Sequence, residues 1–211
     1  MVKKILKENY IYMLVILALI VIMAIIMKSP LHEKIMEFDQ AVITFIKSIH
    51  DDYLTSFFRI LTNFGDVYIP LVILLIILLF NNNRWVFILQ TCSYGLSGVL
   101  VYIFKIIVAR PRPIEALINM PKTYSFPSGH TFTSFVFYMI LFYLLSYKRT
   151  RDEKTIVVVL GAIMAILIAF SRVYLGVHYF SDVIGGFILA IPFVLMIKNI
   201  INKNFDKKLL S

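Results

Sequence analysis

The sequence predicts an all-α, polytopic membrane protein with six transmembrane helices and an amphipathic interfacial helix between the first and second. Three observations carry that reading. Hydrophobic residues make up 60% of the chain and charged residues only 16%, whereas soluble domains hold roughly half and a quarter. The apolar residues gather in runs near the roughly 20 that a helix needs to cross a bilayer. Lysine and arginine concentrate on alternate connections between those runs, as the positive-inside bias requires of a multi-span chain.

The six runs are Tyr10–Met27, Leu61–Phe80, Trp85–Val108, Thr131–Tyr147, Ile156–Phe170 and Ser181–Ile197. The first follows Lys3, Lys4 and Lys7, as a signal peptide would. It is long, however, and ends in Lys28-Ser29-Pro30 without a small-residue cleavage site, so an uncleaved helix is expected. The apolar heart of the second, Tyr68–Phe80, is too short to span alone, so its helix should begin nearer Leu61. The fifth is also short and should run past Ser171. Between the first and second runs, Ile35, Phe38, Val42, Ile46 and Ile49 recur every three or four residues. That is an amphipathic stripe, read as a packing helix at the outer interface, with substrate gating as the alternative. The whole chain, 1–211, reads as one membrane domain: first helix 10–27, interfacial segment 28–60, core 61–197 and tail 198–211.

Charge sets the orientation. The N-terminus, the loop Asn81–Arg84, the loop Lys148–Lys154 and the tail all carry more lysine and arginine than acids; among them are Lys148, Arg149, Arg151, Lys154, Lys207 and Lys208. The segment Lys28–Ile60 balances its cations with Glu33, Glu37, Asp39, Asp51 and Asp52. The first set should face the cytoplasm and the second the exterior. The net charge of +9 is scattered between apolar runs and not clustered on one element, which argues against a nucleic-acid partner. The lone Cys92 excludes an internal disulfide and reads as a packing residue.

Ionisable groups at span ends are costly and need a reason. Three stretches hold most of them, all on the exterior side. In Lys105-Ile-Ile-Val-Ala-Arg110-Pro111-Arg112-Pro113, a lysine sits in the last turns of a span and two arginines follow where proline stops the helix. Guanidinium forks fit phosphate oxygens, although interfacial snorkelling also places cations there. In Phe126-Pro127-Ser128-Gly129-His130, Ser128 reads as an N-cap, with Gly129 and His130 in the first turn. Free N–H groups and the dipole at a helix start suit an anion, and the histidine could act as a proton donor; a plain cap with an interfacial histidine is the alternative. In Ser171-Arg172 through His178 to Asp182, the histidine and aspartate are four apart, which on a helix places them on one face. A carboxylate can orient an imidazole as a nucleophile; a structural pair is the alternative.

Taken together the three stretches resemble the PAP2 (type 2 phosphatidic acid phosphatase) family. Lys105 is followed after six residues by Arg112-Pro113, then come Pro127-Ser128-Gly129-His130, then Ser171-Arg172, His178 and Asp182. The resemblance implies a membrane phosphatase, acting on a lipid phosphate or diphosphate such as undecaprenyl diphosphate, phosphatidylglycerophosphate or phosphatidic acid. It implies that His178 attacks phosphorus, Asp182 orients His178, and His130 protonates the leaving oxygen. Lys105, Arg112, Ser128, Gly129 and Arg172 would hold the phosphoryl oxygens. The implied register selects Arg112 over Arg110, and no metal or other cofactor is expected. Beyond the lipid substrate and membrane lipids, no partner is implied. Two other readings remain: a transporter or flippase binding a phosphorylated solute, and a zinc hydrolase using His130, His178 and Asp182. The neighbouring cations oppose the zinc reading.

Overall fold

The computed structural model describes residues 2–147 and 149–205; the expected cytoplasmic cations Lys148, Lys207 and Lys208 lie outside them. The described chain is helical. Its elements are α1 (Val2–Met27), α2 (Leu31–Ser48), α3 (Asp52–Thr62), a 3-10 turn (Asn63–Gly65), α4 (Tyr68–Phe80), α5 (Arg84–Val108), α6 (Gly129–Leu145), α7 (Arg151–Tyr174) and α8 (Phe180–Asn204).

Helix α6 is the hub, packed against α5, α7 and α8, while α1 lies along α8. The core around α6 is mainly apolar, with Val136, Phe137, Ile140, Ile168, Leu189 and Ala190 all at 0% exposure. The outer faces stay apolar too: Leu14, Ile25, Leu79, Val99 and Ile166 are exposed. A molecule apolar both inside and outside is built for lipid. Several polar groups between helices find partners there, which lipid cannot supply. Asn199 donates to Asn9 across α8 and α1 at 2.9 Å, and Gln90 of α5 donates to the Phe137 carbonyl of α6 at 2.9 Å.

Helices α1 (from Lys4), α5, α7 and α8 are long and apolar enough to cross a membrane. The protein is thus a multi-pass membrane protein. The other two expected spans take different forms. The second is broken: the unit Asp52–Gly65 meets α4 at 50°, so the helix does not run on from Leu61. The cause is the stretch Asn63–Asp66. An added Cβ at Gly65 would lie 2.6 Å from Ile168 Cγ2 and 3.0 Å from His130 Cδ2, so only glycine lets the bend pack this closely on α6 and α7. The fourth, α6, has 17 residues, about 26 Å at ~1.5 Å per residue. The fifth does run past Ser171, ending at Tyr174.

The expected interfacial helix is two helices. Asp51 caps the second, accepting from the N–H groups of Tyr53 (2.8 Å) and Leu54 (3.0 Å). Of the apolar stripe only Ile46 is buried; Phe38 and Ile49 are exposed, and the buried polar residue of α2 is Asp39, at 0%. Cys92, expected in packing, is on the exposed side of α5.

One end of the bundle gathers the C-termini of α5 and α7 and the N-termini of α6 and α8. Leu117 N–H donates to the Leu175 carbonyl at 3.0 Å, and Ser125 N–H to the Arg110 carbonyl at 2.8 Å. At the opposite end Trp85 packs on Phe205, ring centroids 5.2 Å apart.

Candidate active site

Local sequence builds each wall of the site. Helix α5 stops at Ala109, which takes a left-handed conformation (φ 53°), and proline forbids resumption at 111. Lys105 is thereby fixed in the last turn, and Arg110 and Arg112 are thrown onto the loop. Lys105 Nζ, 7% exposed, donates to the carbonyls of Tyr124 and Ser125. Arg112 donates from Nε to the Thr123 carbonyl at 2.7 Å and from Nη1 to the Val177 carbonyl at 2.7 Å.

Ser128 caps α6 as its sequence suggested: its Oγ accepts from Thr131 N–H at 3.4 Å and from Thr131 Oγ1 at 2.9 Å. Its own N–H donates to the Asp182 carbonyl at 3.0 Å, which ties the start of α6 to the start of α8. A Cβ at Gly129 would meet Lys105 Cε at 3.6 Å, so the lysine stem lies over the first turn of α6. Gly176, at φ +70°, supplies the turn between α7 and α8; a side chain there would strike the Glu115 carbonyl at 2.5 Å.

His178 sits on that turn, 2% exposed and two residues before α8 begins. It and Asp182 therefore do not share a helical face, contrary to the spacing argument. They meet because Asp182 is in the first turn of α8, pointing back at the turn. Asp182 Oδ2 lies 3.2 Å from His178 Nδ1 and accepts from Tyr179 N–H at 2.9 Å. The same oxygen accepts from Ser125 Oγ. Arg112 Nη1 lies 3.1 Å from His178 Nε2. A guanidinium can only donate, so Nε2 is the bare acceptor and Nδ1 carries the proton toward Asp182. Burial is the largest influence on this imidazole and pushes its pKa down to about 3. Asp182 pulls the other way, while Lys105 and Arg112 add to the depression. His178 is thus neutral at ordinary pH.

The structure places the remaining expected residues as follows. His130, in the first turn of α6, pairs through Nε2 with Asp66 Oδ1 at 2.8 Å. A cavity of about 240 Å³ opens beside the pair, lined by Tyr94, Gly95 and Gly98 of α5 among others. Arg172, 2% exposed, donates from Nη1 to Thr62 Oγ1 at 2.5 Å. Its buried Nε has no partner among the described residues. Hydrogen bonds thus join His178 to Asp182 and Arg112, and Asp182 to Ser128, while Lys105 lies beside Gly129 and His130 and Arg172 stand on the adjoining turns.

Four residues at the site were not expected. Ser125 donates to Asp182, Thr62 holds Arg172, Asp66 holds His130, and Asp39 holds Arg110. Arg110, set aside in favour of Arg112, is buried at 3% and bridges Asp182 and Asp39. Only Asp39 left a trace in the sequence: it lies four residues after Ile35 and three before Val42, a charge within the apolar stripe.

Known proteins resemble this chain in sequence and fold. The model of the PAP2 superfamily matches residues 87–206. Phosphatidylglycerophosphatase B of Bacillus subtilis is 28% identical over 176 residues, 81% of this chain and 84% of that protein. The undecaprenyl-diphosphatase of Sulfolobus acidocaldarius is 28% identical over 185 residues, 85% of this chain and 86% of its own length. The crystal structure of the PAP2 type phosphatidylglycerolphosphate phosphatase from Bacillus subtilis superposes with a TM-score of 0.80 at 26% identity, covering 93% of this chain and 97% of that one. Aquifex aeolicus LpxE superposes with a TM-score of 0.59 at 25% identity, covering 75% of this chain and 94% of that one. With more than half of its length matched to the family model and its fold shared with a PAP2 type phosphatase, the chain belongs to the PAP2 superfamily.

Proposed function

We propose that this chain, an enzyme of the PAP2 phosphatase family, hydrolyses a lipid phosphate or lipid diphosphate through a phosphohistidine on His178, without a metal ion, at the extracytoplasmic face of the membrane. The observation that carries the reading is the buried His178–Asp182 pair with the opposite ring nitrogen facing Arg112. In the first step Nε2 attacks phosphorus and the P–O bond to the leaving group breaks, with His130 giving its proton to the departing oxygen. Asp182 stays ionised and stabilises the positive charge that grows on the ring. In the second step His130 accepts a proton from water, the water oxygen bonds to phosphorus, and the P–N bond breaks to release phosphate.

Charge develops on the phosphoryl oxygens in both steps, and fixed donors stabilise it there. Arg112 leaves Nε2 and turns its fork to those oxygens. Lys105 and the N–H groups at the start of α6 lie on the same side, at the positive end of the helix dipole. Arg172, whose buried Nε has no partner among the described residues, is a further donor for the anion, since a buried donor without an acceptor is costly unless a ligand supplies one. In this reading the bent unit of α3 and α4 and the short α6 complete six spans, which puts both termini in the cytoplasm and the site outside, in agreement with the charge bias. Candidate substrates are those of the named relatives: phosphatidylglycerophosphate and undecaprenyl diphosphate.

A zinc hydrolase needs three ligands gathered on one ion. Here His130 turns to Asp66 and His178 to Asp182. A transporter needs the cations but not a nucleophile paired with an acid. One experiment separates these readings: the purified protein in detergent with EDTA is offered phosphatidic acid, phosphatidylglycerophosphate and undecaprenyl diphosphate. Phosphate release from at least one, undiminished by the chelator, is expected. Release that stops in EDTA and returns with Zn²⁺ or Mg²⁺, or no release from any of the three, overturns the proposal.

A further inference from the structure

Arg110 and Asp39 belong to no part of the mechanism above, yet both are buried, at 3% and 0% exposure. Burying a charge is costly unless it is paired, and this pair is elaborate. Arg110 Nη2 donates to Asp39 Oδ2 at 2.7 Å and Nη1 to Asp182 Oδ1 at 2.6 Å. Nη1 also reaches Ser181 Oγ at 2.8 Å, and the guanidinium lies 4.1 Å from the centroid of the Tyr179 ring. Ser181 closes the loop: its N–H donates to Asp39 Oδ1 at 2.9 Å and its hydroxyl to Oδ2. Asp182 thus divides its two oxygens. Oδ2 serves His178, Ser125 and Tyr179, while Oδ1, among the described residues, serves Arg110.

The charges matter as much as the geometry. Arg110 by itself would cancel the negative charge of Asp182, which must stabilise the positive ring as the phosphohistidine forms. Asp39 cancels Arg110 in turn and leaves the trio with one net negative charge beside His178. We propose that Asp39 and Arg110 are a positioning pair for Asp182, fixing its carboxylate and preserving its charge, so that α2 is a working part of the catalytic centre. The inference rests on the phosphohistidine reading and extends it to a helix that lies outside the matched family region.

The test uses the full-length protein in detergent with dioctanoyl phosphatidic acid. Asp39→Asn keeps the shape and removes the charge. Its kcat should fall about 10- to 100-fold, the scale for losing an outer partner of a functional histidine, with KM unchanged because Asp39 is fully buried. The double variant Asp39→Asn/Arg110→Gln removes both charges and restores the net charge beside His178. It should recover at least about tenfold of the kcat lost by Asp39→Asn alone, whereas simple damage to packing should accumulate with each substitution. An unaffected kcat in Asp39→Asn, or a double variant no faster than the single one, overturns the proposal. If Asp39→Asn yields no folded protein, the double variant decides alone: it should fold and turn over well above His178→Ala, and a folded double variant as inactive as His178→Ala overturns the pair. His178→Ala in the same assay separates the two levels. Turnover without His178 defeats the phosphohistidine reading itself; an inactive His178→Ala beside a fully active Asp39→Asn defeats only the positioning pair.

Discussion

The pH dependence of turnover follows from the burial of His178, and the perturbation is a drop from pH 7.5 to pH 5. The neutral imidazole is the reactive form. With an ordinary histidine pKa near ~6.5, only about 3% of the nucleophile would remain neutral at pH 5, a roughly 30-fold loss relative to pH 7.5. In this structure burial, aided by Lys105 and Arg112, holds the group at about 3 despite Asp182. The sign is therefore clear: a depressed pKa keeps the base form available to lower pH, and about 99% stays neutral at pH 5 by the same arithmetic. The assay is kcat/KM from phosphate release between pH 4 and 8, on a lipid monophosphate and a lipid diphosphate in parallel. An acid limb common to both substrates belongs to the enzyme, and limbs that move with the substrate belong to the substrate's own ionisation. Samples held at pH 5 and returned to pH 7.5 must regain full activity, which excludes unfolding. The expected result is no shared loss between pH 7.5 and 5. A shared, reversible acid limb near pH 6.5 would refute the reasoning.

Two further outcomes follow from the site and its orientation. His130→Ala should lower kcat more on a lipid monophosphate, whose leaving alkoxide needs a proton, than on a diphosphate, whose leaving phosphate bears charge well; equal fractional losses would show that His130 is not the acid. Single cysteines in place of the exposed Lys122 and Lys154, in a Cys92→Ser background, should differ in intact cells. An impermeant thiol reagent should label position 122 directly and position 154 only after permeabilisation, and the reverse pattern would invert the topology.

The motif residues were legible because each does its work within a few positions of its neighbours: Ser128 caps the helix it starts, and Pro111 stops the loop from resuming as helix. Even the His178–Asp182 pair was found, although for the wrong local reason, since a turn and a helix start bring the two together as well as one helical face does. The supporting partners were not legible. Asp66 lies 64 residues from His130, and Asp39 lies 71 residues from Arg110. Such pairings exist only once the bundle has packed, and no periodicity encodes them. The 50° break before α4 was hidden for a related reason. An apolar count over Leu61–Phe80 supports a continuous helix, whereas the close approach of Gly65 to α6 and α7 decides otherwise. Asp39 is the exception, because a carboxylate in an apolar stripe needs a buried partner.

Transfer of phosphorus to His178 leaves a covalent intermediate, which can be trapped. The protein is mixed with a lipid phosphate carrying ³²P, quenched in alkali, where a phosphorus–nitrogen bond survives, and digested to locate the label. The account predicts label on His178 in the wild type, none in His178→Ala, and a loss of kcat in that variant of about 10³-fold or more. Label on another residue, or wild-type turnover by His178→Ala, would contradict it.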